Sequence, residues 1–236
     1  VIAATPPTVA ATPFVPPLQT GDALPTTALH DQRGRTFVLG GTAAGATVVT
    51  FFYTRCRDAN ECPLTSAKFA RLQTLFANDP ARLVEITLDP VHDTAAELAR
   101  YGAAFGAEPK RWRLASGTPA STSMLERRLD VAVSRSAAGD FVHDDTVVVL
   151  DRDGRIADTI AGNAWAPSDI VSVARTAESL PSDPIVRLRF ALSRGVAAAC
   201  GGVSGARGVS IAGALVIFAF ALGASGVILR RVALGR

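Results

Sequence analysis

The run Thr47–Tyr53, TVVTFFY, consists only of β-branched and aromatic residues and carries no charge. Such a run suits a strand covered on both faces, which requires packing elements above and below it. Pro63 then opens PLTSAKFARLQTLFAND, in which Leu64, Ala67, Phe69, Leu72, Leu75 and Phe76 recur at about helical spacing. A helix is therefore expected to start immediately after Cys62. Residues Ala81–Asp89, ARLVEITLD, read as a second buried strand. DTAAELARYGAAFG reads as a second helix, with Asp93 and Thr94 suited to its cap and Gly106 to its end. Strand, helix, strand, helix is a βαβ succession with a right-handed crossover, and it places the chain among α/β folds.

The flanking stretches extend this core. Phe37–Leu39 and Trp112–Ala115 suit short strands, and Ser121–Leu129 a short helix. Thr146–Leu150 is a further apolar strand, and the turn DRDG leads into Arg155–Ile160 as its hairpin partner. APSDIVSVARTAESL reads as a final helix capped near Ser168, so the domain is expected to span residues 21–180. With 48% apolar and 19% charged residues in 236, the chain is too hydrophobic to be disordered throughout. A formal charge of +3 is too small and dispersed for a nucleic-acid protein.

The two ends differ from this domain. Residues 1–20 hold five prolines among Ala, Thr and Val and read as an extended arm. Beyond Pro181 and Pro184, Ile185, Leu188, Leu192 and Val196 form an apolar helical stripe, so residues 181–208 suggest a juxtamembrane amphipathic segment. Val209–Leu229 is 21 residues without a charge, about 32 Å as a helix, and reads as a C-terminal transmembrane helix. Residues 230–236, with Arg230, Arg231 and Arg236, form a short basic tail.

Chemistry concentrates at FFYTRCRDANECP, which places Cys56 just past the central strand and Cys62 at the start of the Pro-led helix. A thiol at a helix N-terminus meets free N–H groups and the positive end of the dipole, both of which favour thiolate. With five residues between them, the sulfurs can cycle as a redox pair, stay as a permanent disulfide or buried thiols, or clamp a soft metal ion. Two thiolates suit cuprous copper, an added imidazole also holds cupric copper, and zinc competes. His143, in DFVHDD ahead of the strand Thr146–Leu150, lies on a loop able to fold over the strand-to-helix junction. His30 and His92 read as ordinary surface or turn histidines, and Cys200 as a small apolar residue without a nearby partner.

Four stretches in order, GDALPTTALHDQRGRTF, FFYTRCRDANECP, ITLDPVHDTAAELARYGAAFG and FVHDDTVVVLDRDGRI, resemble the SCO/SenC family of copper chaperones for cytochrome c oxidase assembly. The resemblance implies a thioredoxin-like central mixed sheet with flanking helices. It also implies copper, Cu+ or Cu2+, held by Cys56, Cys62 and His143, with Asp89 and Asp93 behind them. The implied function is that of a membrane-anchored chaperone delivering copper during assembly of the oxidase copper centre. Its partners would be cytochrome c oxidase subunit II or another periplasmic copper chaperone, and the lipid bilayer, but no nucleic acid. The implied site is the bacterial inner membrane, single-pass, with the domain facing the periplasm. Two features depart from the family pattern: the five-residue cysteine spacing, where three is usual, and the C-terminal position of the apolar segment. An alternative is a thiol-disulfide oxidoreductase in which Cys56 and Cys62 reduce the cysteines of the copper acceptor. A copper or redox sensor is a third reading.

Overall fold

A computed structural model describes residues 15–137 and 139–180. The strands are β1 (Thr27–Asp31), β2 (Thr36–Leu39), β3 (Thr47–Phe52), β4 (Arg82–Thr87), β5 (Trp112–Ser116), β6 (Val133–Arg135), β7 (Phe141–His143), β8 (Thr146–Leu150) and β9 (Ile156–Ala161). The helices are α1 (Cys62–Leu75), α2 (Ala95–Ala104), α3 (Pro119–Arg128) and α4 (Pro167–Glu178).

Seven strands form one sheet in the order β2-β1-β5-β4-β3-β8-β9, and β6 and β7 form a separate two-stranded sheet. β3, β4 and β5 run parallel, while β8 and β1 add to them antiparallel. This is the thioredoxin-like mixed sheet with flanking helices that the sequence implies. All six residues of β3 are buried, as its uncharged composition requires. Phe69, Leu72 and Phe76 bury the α1 face, and Leu83, Ile86, Trp112 and Leu114 complete the core from β4 and β5. α1 packs against α4 and α2 against β5. At the N-terminal side, the Leu18 N–H donates to the Arg128 carbonyl at 2.8 Å and the Arg128 guanidinium to the Pro16 carbonyl at 2.9 Å. The end of the Pro-rich arm is thereby tied to the last turn of α3.

Local differences have local causes. α2 is capped by Thr94, whose hydroxyl accepts from the Glu97 N–H, because Asp93 turns its carboxylate toward Thr54. α4 starts after Ala166 rather than at Ser168: Pro167 occupies the first turn, and Asp169 accepts from the Ala166 N–H at 3.0 Å.

The membrane part of the expected architecture is corrected. Among the described residues no helix is long and apolar enough to cross a membrane. The longest of these, α1, has 14 residues, about 21 Å against the roughly 30 Å of a bilayer core. The expected spanning helix at 209–229, the segment 181–208, the tail 230–236 and Cys200 lie outside the described residues, as do residues 1–14. The described structure therefore does not support the transmembrane helix, the partnership with a lipid bilayer or the single-pass inner-membrane placement with a periplasmic domain.

Candidate metal centre

The thiol pair sits where the parallel strands end. β3 delivers the chain to Tyr53, and a turn closed by the Cys56 N–H on the Tyr53 carbonyl, 3.2 Å, carries Cys56 outward. Cys62 is the first residue of α1 and is 1% exposed, whereas Cys56 is half-buried. Both thiols are free.

The two sulfurs share one negative charge unequally. Cys56 is held well below the ordinary thiol range, at about 6. The Cys62 side chain hydrogen-bonds to it, and against the cost of burial the Cys62 and Asp58 backbone and the Tyr53 hydroxyl also favour the thiolate. Cys62 is pushed up, first by the same bond to Cys56, then by burial and by the neighbouring charge. The helix N-terminus thus stabilises thiolate at Cys56, through the Cys62 N–H, rather than at Cys62 as the sequence suggested.

His143 comes from β7, 81 residues away from Cys62 in the chain, and its Nε2 lies 3.6 Å from the Cys62 Sγ. Its Nδ1 is 3.1 Å from the Asp144 carbonyl. A carbonyl can only accept, so Nδ1 carries the proton and the Nε2 lone pair faces the sulfur. Tyr53 supports the same corner. Its hydroxyl reaches the Phe141 carbonyl at 3.4 Å, its ring meets Phe141 at 5.2 Å, and burial followed by the Cys56 charge pushes the phenol pKa up, so the hydroxyl keeps its proton.

Behind the cysteines lie the two acidic residues. Asp89, 2% exposed, binds the Arg55 guanidinium and accepts from His92 Nδ1 at 2.7 Å. Burial alone would raise this carboxyl, but the hydrogen bonds from His92 and Arg55 outweigh it and hold it below the usual range. Asp93, 1% exposed, accepts from the Thr54 N–H at 3.0 Å, from the Thr54 hydroxyl at 2.5 Å and from the Thr87 hydroxyl. Both carboxylates therefore brace the loop that carries Cys56. Arg55, His92 and Tyr53 were not assigned roles from the sequence; the FFYTRC stretch held the signal, since Tyr53 and Arg55 flank the thiol.

One expectation about the site is corrected. Among the described residues, no group of three or more His, Cys, Asp and Glu side chains is gathered closely enough to hold a metal ion. The ready-made three-ligand copper cluster behind the anchored-chaperone reading is replaced by a Cys62–His143 contact, with the Cys56 Sγ turned toward the Asp58 carbonyl. The reason lies in the long loop. Cys56 is fixed by its own turn, its Sγ toward the Asp58 carbonyl at 3.9 Å, rather than drawn in toward the imidazole. The donor set itself, two sulfurs and one imidazole nitrogen, fits copper in either oxidation state.

Comparison with known proteins adds an independent finding. A family model described as SCO1/SenC matches residues 20–178. No curated protein matches the chain. Among solved structures, a SCO1/SenC family lipoprotein from Bacillus anthracis str. Ames is 21% identical, with 68% of this chain and 100% of that one covered and a TM-score of 0.58. Bradyrhizobium japonicum ScoI, solved with copper bound, is 23% identical over 65% of this chain and 96% of its own, with a TM-score of 0.51. BsSco, described as a member of the Sco family of cytochrome c oxidase assembly proteins and as containing a disulfide switch, is 18% identical over 70% and 98%, with a TM-score of 0.59. At these identities the structural likeness concerns the fold.

Proposed function

The chain belongs to the SCO1/SenC family, and from that premise we propose that its domain is a copper chaperone whose cargo is taken up by Cys56, Cys62 and His143. The observation that carries the reading is the approach of His143 Nε2 to the Cys62 Sγ at 3.6 Å. The α1 N-terminus and β7 bring Cys62 and His143 together, and the β3–α1 loop carries Cys56 nearby without gathering all three. An inward movement of the Cys56 turn would complete a two-sulfur, one-nitrogen set. The half-buried position of Cys56 supports release, because an acceptor's thiolates can reach copper there and exchange ligands. The solved relative with copper bound and the relative described as an oxidase assembly protein make cytochrome c oxidase assembly the process to test.

The reading is tested by loading the purified, reduced chain with copper under anaerobic conditions and measuring what survives dialysis. One copper per chain is expected in the wild type, with marked loss in His143→Ala and near-complete loss in Cys56→Ala and Cys62→Ala. Retention unchanged in the cysteine variants would refute it.

A second reading, thiol-disulfide exchange, is favoured by the unequal thiols. The Cys56 thiolate would attack a disulfide of the acceptor, forming one S–S bond as the old one breaks and the leaving sulfur takes a proton. Cys62 then loses its proton and attacks the Cys56 sulfur, which releases the acceptor as a dithiol and leaves a Cys56–Cys62 disulfide. Exchange surviving in His143→Ala while copper retention falls would separate the two activities.

A further inference from the structure

Two arginines at the far end of the sheet, Arg82 and Arg113, have no ion-pair partner among the described residues. Arg82 opens β4 and Arg113 is the second residue of β5. Val84 is paired with Arg113 in the parallel register. Side chains alternate along a strand. Glu85 points to α1, where Ser66 donates to it, so Arg82, Val84 and Arg113 share the opposite face.

Both guanidinium groups are partly covered. The Nε atoms of Arg82 and Arg113 are buried and have no hydrogen-bond partner among the described residues. The Arg113 guanidinium lies 4.4 Å from the centroid of the Phe37 ring, which covers one side of it without accepting a hydrogen bond. Burial, followed by the nearby Arg113 charge, lowers the proton affinity of Arg82. Asp31, which lines the adjoining groove, is already engaged by Arg35 at 3.4 Å. Two neighbouring cations with desolvated, unpaired donors are costly unless an anion sits between them.

The surrounding space fits a small ligand. Arg82 and Arg113 line a narrow slot of about 10 Å³ together with Phe37, Thr47 and Gly41, room for a single water-sized atom. Phe37 and Arg113 also line a groove of about 330 Å³ that carries Lys110 and Arg35. Arg113 lines both, so an oxyanion held by Arg82 and Arg113 would lie beside the groove that Lys110 also lines. We propose that Arg82 and Arg113 form a binding site for a small oxyanion of the phosphate class, at the end of the sheet opposite the thiols. Six residues of strand, about 20 Å, separate the two sites, so this one is independent of copper uptake.

The test is titration of the full chain with inorganic phosphate at constant ionic strength maintained with chloride. Thermal unfolding and the side-chain Nε–H resonances of Arg82 and Arg113 serve as readouts. Saturable binding is expected, with a melting temperature that rises with phosphate and shifts in both Nε–H signals. Arg82→Gln and Arg113→Gln should each weaken binding at least about tenfold, the loss expected for a charge-assisted hydrogen bond. Without phosphate they should unfold no earlier than the wild type, since each removes like-charge repulsion. Unmoved Nε–H signals in the wild type, an equal response to chloride alone, or binding retained in both variants would overturn the proposal.

Discussion

Cys56 and Cys62 show how position decides the chemistry of two identical side chains. Cys62 occupies the helix N-terminus, but its interaction with Cys56 and then its near-complete burial keep its proton on. Cys56 receives both the Cys62 side-chain bond and the Cys62 N–H and carries the thiolate. In the reduced, metal-free chain, alkylation of Cys56 should therefore rise with pH about a midpoint near 6, while Cys62 stays slow to react throughout neutral pH. Iodoacetamide labelling read by peptide mass, residue by residue, checks this, and faster labelling at Cys62 would reverse the assignment. The presence of a thiol pair was legible in the sequence, but its asymmetry was not. The helix-terminus argument points to Cys62, and burial depends on the fold around it.

At the scale of elements, two buried carboxylates outside the thiol pair hold the site's framework. Asp93 ties the β3–α1 loop to the end of β4 through Thr54 and Thr87. Asp93→Ala leaves those donors without a partner and should cost about 2 to 3 kcal/mol in urea unfolding, with weaker copper retention as the Cys56 turn loosens; unchanged stability would show the link to be incidental. Glu85, 0% exposed beneath α1, accepts from Ser66 at 3.0 Å and from the Trp112 indole at 3.1 Å. Burial nevertheless pushes its carboxyl up to about 8. The folded chain therefore holds a proton there that the unfolded chain has already released above the ordinary Glu range. Stability from this group is greatest below that range and falls as pH rises toward about 8. Glu85→Gln should remove this fall, gaining on the wild type between pH 5 and 8 in denaturant unfolding, and parallel pH profiles would contradict it. The links of Asp93 to Thr54 and Thr87 were not legible in sequence, because polar partners brought together by folding leave no periodic trace.

Across the whole molecule, the sequence reveals the strands that are buried on both faces and the helices whose apolar residues recur at helical spacing. β3, α1, β4 and α2 lie close to where apolar runs and spacing place them. β1 escaped because its three inward residues are Thr27, Leu29 and Asp31, so its alternation carries one apolar signal. β6 and β7 escaped because three largely uncovered residues each show no pattern, although they carry His143 to Cys62. DFVHDD alone offered that histidine only as a candidate on a nearby loop, and the family resemblance assigned it to the site. The apolar run at 209–229 was the strongest single hydropathy signal, and it lies outside the described residues. In the proposed function, Cys56, Cys62 and His143 close on copper as the Cys56 turn swings inward. Copper-edge X-ray absorption of the loaded chain tests it most directly. Two sulfur scatterers and one imidazole nitrogen, with the nitrogen lost in His143→Ala, are the predicted result; a ligand set lacking either sulfur or unaltered in His143→Ala would contradict it.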